Sequence, residues 1–374
     1  MLEKSKLFFL DIHREFIRIF VYRGKRSVGG PNYAKLALLI IFSVMYLPHA
    51  FILIDDINLI SAYEVDPGSI ISSIKDLFIS PMYNMMNGYH SKFYGWTFIA
   101  INFFTLLPVK FFNFITGNQS ELLNFLTIKL TFFFIGLLSV LALLAIFDRL
   151  SNKKNYLISF AVCLIFVFSS TSNLFYFIHP ETTGALFIFT AIICLIEYIK
   201  NTKTPTLILG VIFLVAASLS KQVFFIASLP ILFCFMHFYR LTFSQSFWNF
   251  TKSINFYNFL KISTIIALAV SFIIHPYAFL SFNKFFLFQL GLSKSFMGAG
   301  DISYLQSLTL WIDLIKLDFL MFFSFLSVPF VIAFSIFQYY KYKAPGFFLA
   351  AMNGFAFIFM FLFIVYGNRT VLSF

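Results

Sequence analysis

Charge is what this 374-residue chain has least of. Asp, Glu, Lys and Arg together make up 11% of it and hydrophobic residues 60%, and the mean hydropathy is +0.89. A water-soluble fold cannot bury that much apolar surface with so few charges left to cover the outside. Cysteine is equally scarce: Cys163, Cys194 and Cys234 are the only three, each inside an apolar run. That excludes a disulfide scaffold and leaves zinc without a ligand spacing, so the thiols read as small hydrophobes. Also missing are a Ser/His/Asp set, a glycine-rich phosphate loop, a metal-ligand cluster, a repeat of fixed period and a soluble domain. The net charge of +12 does not point to nucleic acid, because the charges lie between the apolar runs and their sign changes from loop to loop. What remains is an all-α polytopic membrane protein with no nucleic-acid partner.

A bilayer core asks for about 20 apolar residues per helix. Runs of that kind start near Ala34, Leu122, Tyr156, Thr182, Thr206, Val223, Phe259, Leu317 and Gly346, which gives about nine transmembrane helices. One further run, Phe93–Phe112, carries Asn102, Pro108 and Lys110 and follows the polar stretch Gly88-Tyr89-His90-Ser91-Lys92. The positive-inside rule assigns it. With Arg14, Arg18, Arg23, Lys25 and Arg26 in the cytoplasm, a spanning Phe93–Phe112 sends every later basic loop outside. An interfacial Phe93–Phe112 brings Arg149/Lys153/Lys154, Lys200/Lys203, Arg240/Lys252 and Lys341/Lys343 all inside. The segment is therefore expected to lie along the outer surface.

Residues 1–33 form a cytoplasmic amphipathic segment in this reading. Phe9, Ile12, Phe16 and Phe20 recur at helical spacing with Arg14 and Arg18 on another side, as an anchor on anionic membrane lipid would have them. Gly29-Gly30-Pro31 breaks the helix before the first span, and the leader is too polar and too long for a cleavable signal. Residues 34–374 are the transmembrane domain, and residues 55–121 are its first outer loop, with juxtamembrane helices half-buried at the interface. After Tyr366-Gly367-Asn368-Arg369 the last residues restart like another span, so the chain is expected to be C-terminally truncated.

Ionisable groups at apolar helix ends are costly and therefore informative. Five places stand out, all on the outer side under this topology: Asp55-Asp56, His179-Pro180-Glu181, Lys221-Gln222, His275-Pro276-Tyr277 and Lys129. Each has a plainer reading alone. The Asp pair is solvated loop, Lys221 and Lys129 snorkel to water, and the two histidines are satisfied by backbone. Five on one face point to a shared site.

A carboxylate pair with several cations suits one reaction. A sugar on a lipid phosphate already has a good leaving group, so the acid that glycoside hydrolysis requires is unnecessary. What is needed is a carboxylate to deprotonate the acceptor hydroxyl and cations to stabilise the phosphate, and direct attack inverts the anomeric centre.

The layout resembles the GT-C glycosyltransferases, polytopic enzymes that use polyprenyl-phosphate sugars and include protein O-mannosyltransferases and the lipid A aminoarabinose transferase. The matching pieces run over most of the chain. Leu53-Ile54-Asp55-Asp56 follows the first span and precedes a long outer loop containing Tyr94-Gly95-Trp96. Phe147-Asp148-Arg149-Leu150 is a basic turn, and His179-Pro180-Glu181 is similar to the family's short Pro-acidic turn. Ala217-Ser218-Leu219-Ser220-Lys221-Gln222, with Pro230 downstream, resembles its Thr-Lys-Gly turn. The resemblance implies Asp56 or Asp55 as the acceptor-activating base, Lys221 on the donor phosphate and Glu181 orienting sugar or acceptor. His179 and His275 join the substrate-binding set. Lys92 corresponds to the basic residue of a Lys-Pro element whose Pro is missing here, and Arg369 to a late outer Arg. Both members of the acidic pair are Asp where the family often has Glu second. No cofactor is required, although Asp55 and Asp56 could hold magnesium or manganese.

The function so implied is a membrane glycosyltransferase, moving a sugar from a polyprenyl phosphate to a lipid, glycan or protein acceptor outside the cytoplasm. The expected location is the plasma (inner) membrane of a bacterium, with the site on the extracytoplasmic face. The alternatives are a transporter or lipid flippase, which would put ionisable groups at the midplane of two related halves, and a non-catalytic subunit of an envelope-assembly complex.

Overall fold

A computed structural model describes residues 10–22, 32–51, 78, 96–117, 121–150, 156–168, 180–220, 222–274, 309, 312, 319–342, 347–348, 350–355 and 358. Among these the fold is helical, with no strand. An N-terminal helix, residues 10–22, widens into a π-helix over Ile17–Tyr22. Ten α-helices follow: α1 Asn32–Phe51, α2 Trp96–Thr116, α3 Glu121–Leu150, α4 Tyr156–Phe168, α5 Pro180–Asn201, α6 Thr204–Ser220, α7 Gln222–Leu241, α8 Phe247–Thr251, α9 Ile254–Ile274 and α10 Phe319–Tyr342. Segments Leu122–Leu150, Thr182–Asn201 and Ile254–Ile274 are long and apolar enough to cross a membrane, as expected of an integral membrane protein. The apolar stretches of α1, α2, α4, α6 and α7 are shorter.

The core lies along α5, α6 and α7. Ala191, Cys194, Leu195, Leu207, Ala217, Cys234 and Phe235 are all fully buried there. The first and last of these helices are joined through α6, and the α5–α6 connection is only Thr202 and Lys203. Thr202 takes a left-handed φ of 50° while its N–H closes on the Tyr198 carbonyl at 2.7 Å, and Pro205 then sits in the first turn of α6, where its missing N–H costs nothing. Gly210 of α6 faces the Phe235 ring so closely that a Cβ would overlap it; the small residue is what lets the two helices approach. A second cluster, with Leu38, Phe42, Tyr46, Phe133, Val140, Leu144, Cys163 and Val167, joins α1, α3 and α4. There the Tyr46 hydroxyl donates to the Val167 carbonyl at 2.6 Å, which gives its polar tip a partner inside an apolar environment.

Contacts between helix ends give each helix its direction. The C-terminal turn of α3 meets the C-terminal turn of α5, with Arg149 Nε 3.1 Å from Glu197 Oε1 and Lys200 Nζ 3.2 Å from the Arg149 carbonyl oxygen. Lys35, at the start of α1, lies in the field of Asp148 and Arg149. His237 and Tyr339 pair at 2.8 Å near the C-termini of α7 and α10, and Tyr239 packs on Phe259 of α9. Arg18, Lys35, Arg149, Lys200, Lys203, Arg240 and Lys341 therefore all belong to one end of the bundle, the basic end. The C-terminus of α1, the N-termini of α3, α5 and α7, and the C-termini of α6 and α9 belong to the other, the far end. Of the basic residues expected on one side from the sequence, Arg149, Lys200, Lys203, Arg240 and Lys341 share this end, while Lys153, Lys154 and Lys343 lie outside the described residues.

Two segments differ from the sequence reading. Phe93–Phe112 was expected to lie flat, but α2 runs antiparallel to α3, ending at Gly117 with φ +66°, a left-handed C-terminal stop. Thr131 Oγ1 lies 3.2 Å from Thr105 Oγ1, and both threonines are about three turns, roughly 16 Å, from the connection. The reason is length. Arg149 lies 28 residues beyond the start of α3 and its partner Glu197 only 17 beyond the start of the parallel α5, so with these two pinned together α3 overshoots by about 16 Å at the far end. Helix α2 covers that overshoot with Asn102 and Leu106 buried against it. The later loops keep their sides, because α1 leaves the basic end and α3 returns to it. The second difference is the N-terminal segment. It docks on the bundle through Glu15 and Ile19, both buried, with Ile12 of the expected apolar stripe packed against the core and Phe16 40% exposed. Arg18 turns inward because a buried carboxylate, Glu197, needs cations around it.

Candidate functional site at the far end of the bundle

Seven of the eight residues singled out from the sequence for catalysis or substrate binding, Asp55, Asp56, Lys92, His179, Lys221, His275 and Arg369, lie outside the described residues. The eighth, Glu181, is in the first turn of α5, and its side chain is likewise outside them. What is described is the set of helix ends that leads to them. Phe51 ends α1, Pro180 begins α5, Ser220 ends α6 just before Gln222 opens α7, and Ile274 ends α9. All of these are at the far end.

Polar residues are buried at this end, where an apolar helix would need none. Lys129, the one expected cation that is described, is 6% exposed and has its ammonium 5.6 Å from the centre of the Phe125 ring, within the range in which a cation is held by an aromatic face. Asn124 one turn earlier is as deeply buried, and its Oδ1 finds no hydrogen-bond partner among the described residues. Thr183 Oγ1, at the start of α5, is in the same state. Ser220, Thr182 and Thr183 are essentially inaccessible, and Ser218 of α6 donates to Ser228 of α7 at 3.0 Å across the α6–α7 pair. A buried polar atom without a partner is a standing cost that a ligand or water removes. Lys129 fits the role of a cation facing an anionic group. Among the described residues no three His, Cys, Asp or Glu side chains converge on a metal position, and Asp55 and Asp56 are not among those residues.

The most developed ionic cluster is at the basic end and was not anticipated. Glu197 has a fully buried carboxylate that accepts from Arg149 Nε at 3.1 Å and from Asn201 Nδ2 at 3.3 Å, with Arg18 Nη1 at 3.7 Å. Arg149 also donates to the Ala145 and Ile19 carbonyls, each at 3.1 Å. Glu15 bonds both Arg18 and Lys203. Every strong contact runs between chain segments or along a helix of this same cluster, so its role is to tie the N-terminal helix and the α5–α6 connection to α3. The signal for it was present: Glu197 is the single carboxylate within the apolar run Ile192–Tyr198, and an intramembrane acid implies a partner. Its partner Arg149 was visible only as part of a loop. Comparison of this chain with family models, with curated proteins and with solved structures finds no match.

Proposed function

We propose that the chain is a membrane glycosyltransferase that moves a sugar from a polyprenyl phosphate to an acceptor at the far end of the bundle. The observation that carries this reading is the common destination of the helix ends at Phe51, Pro180, Ser220 and Ile274, each within a few residues of one of the ionisable groups the chemistry needs. The basic end is cytoplasmic in this reading, by the positive-inside rule. Asp56, or Asp55 beside it, takes the proton of the acceptor hydroxyl. The acceptor oxygen attacks the anomeric carbon from the face opposite the phosphate, the sugar–phosphate C–O bond breaks, and the polyprenyl phosphate leaves with the bonding electrons. Lys221 and Lys129 face the charge that grows on the phosphate, and Glu181 orients the sugar or acceptor. A transporter is less well supported. The described ionisable residues that are buried, Glu15, Lys129 and Glu197, lie toward the two ends, not at the midplane where transporter sites sit.

The test is release of polyprenyl phosphate from polyprenyl-phosphate hexoses and pentoses by the full chain in native membranes. Wild type should release it, and Asp56→Asn or Asp55→Asn should lower the rate about 100-fold or more, the worth of a positioned general base, at unchanged protein level. Release that is absent from wild type, or indifferent to both substitutions, removes the proposal in favour of a scaffold.

A further inference from the structure

A cavity of about 600 Å³ runs between the N-terminal helix, α1, α3 and α5, on the side of the molecule away from the proposed reaction. Its walls are apolar: Leu39 of α1, Leu141 of α3 and Phe187 of α5 line it, and Leu138, 52% exposed, marks where it opens laterally. From Arg149 to Leu138 along α3 it is about 16 Å long, close to the roughly 15 Å depth of one leaflet. The charged groups are confined to its basic-end mouth, where Lys35, Asp148 and Arg149 meet.

Those three are not equivalent. Arg149 has its charge paired with Glu197 and donates to two backbone carbonyls. Asp148 accepts from Ser159 and attracts Lys35. Lys35 makes no hydrogen bond and no ion pair within 4 Å among the described residues, Asp148 included; the two oppose each other across the mouth without touching. Among the described residues the mouth thus offers one uncommitted cation and one carboxylate with spare acceptor capacity, above an apolar slot one leaflet deep. A purely anionic head would meet Asp148 repulsion, and a sterol or neutral lipid would leave both charges unused.

We propose that this crevice holds a glycerophospholipid with a primary-amine headgroup from the leaflet at the basic end. Its phosphate pairs with Lys35, its ammonium donates to Asp148, and one acyl chain fills the slot past Leu141 and Phe187. The charge pattern selects the head and the length of the slot selects a chain.

Native mass spectrometry of the full chain in mild detergent tests this. The probes are phosphatidylethanolamine, phosphatidylglycerol and phosphatidylcholine with identical acyl chains, and glycerophosphoethanolamine, which has the head without chains. Phosphatidylethanolamine should bind about tenfold more tightly than phosphatidylglycerol, the worth of one hydrogen bond to a charged group. Asp148→Asn should erase that preference while keeping binding, and Lys35→Gln should weaken both lipids. Ala142→Trp, which fills the slot, should abolish retention; thermal unfolding of each variant separates loss of the site from loss of the fold. Equal retention by wild type and a folded Ala142→Trp, a preference for phosphatidylglycerol or phosphatidylcholine, or equal binding of the chainless head each overturns the proposal.

Discussion

The two ends of this bundle differ in how their charges are paired, not in whether polar atoms go without a partner: Arg18 Nη2, Thr206 Oγ1, Arg240 Nε and Gln245 Oε1 find none among the described residues at the basic end, and Asn124 Oδ1 and Thr183 Oγ1 find none at the far end. At the basic end the ionisable groups answer one another: Glu197 is surrounded by Arg149, Arg18 and Asn201, and Glu15 by Arg18 and Lys203. At the far end Lys129 is held against an aromatic ring. A network of paired charges in a low-dielectric setting rigidifies the segments that it joins. On the proposed function, the contrast predicts that substitutions at the two ends fail differently.

The largest effect is expected from Glu197→Ala. It leaves Arg149 buried without its counter-charge and should destabilise the protein by about 3–5 kcal/mol. Unfolding in detergent would read this as a large fall in melting temperature. Glu197→Leu combined with Arg149→Met should recover much of the loss, because replacing both ions with apolar side chains removes the desolvation cost along with the attraction. If the double variant is no better than the single one, the network is not an isolated pair in energetic terms.

Asp56→Asn should do the reverse, lowering transfer about 100-fold while leaving stability within about 0.5 kcal/mol of wild type, as for a residue that acts on the substrate rather than in packing. A comparable loss of stability would erase the distinction between the ends. The sidedness behind that distinction is open to direct labelling, since the three native cysteines are buried. Thr116 and Lys252 are both exposed; cysteines placed there should react with a membrane-impermeant maleimide from opposite sides of sealed vesicles, and labelling of both from one side would break the two-ended arrangement.

Thr131→Val is a smaller perturbation. It removes the hydroxyl pair with Thr105 at 3.2 Å and should cost about 1 kcal/mol, seen as faster hydrogen exchange in α2 with no change in α5 to α7. The smallest expected effect is on pH. Burial pushes the Glu15 carboxyl up, but hydrogen bonds from Lys203 and Arg18 and their charges outweigh it and hold it below the usual 4.5. A carboxylate whose folded pKa is depressed contributes stability above the unfolded value and loses it as pH falls through the folded one. Exchange protection of residues 10–22 should therefore be flat from pH 7 to 5 and fall only below about 4.5, and Glu15→Gln should be insensitive over the same range. Release of the helix near pH 6 would mean that Glu15 is not what holds it.

Much of the architecture was legible because the apolar runs are long and the basic residues cluster between them. Helices α3 to α7 start within two residues of where the runs begin, and α9 starts five residues before its run. The orientation of α2 was not legible, because Phe93–Phe112 has the composition of a span and the flanks of a surface helix at once; what settles it is the unequal lengths of α3 and α5, which leave a strip of α3 to cover. The docking of the N-terminal helix was not legible either. Its phenylalanine stripe outweighs Glu15 on any hydropathy scale, yet the helix docks through Glu15 and Ile19 because Arg18 is needed by a carboxylate some 180 residues away in sequence.

The amino-acid order by itself determined that this protein is helical, apolar and sided, since hydrophobic period, run length and the placement of Lys and Arg are local properties that act without knowledge of neighbours. Only the tertiary structure decided which charges are satisfied and which are left open. Glu197 and Arg149 meet because α3 and α5 end together, and Lys35 and Asp148 stand apart because α1 and α3 leave a slot between them. Pairing of charges depends on distance in space, and distance in space is set by packing.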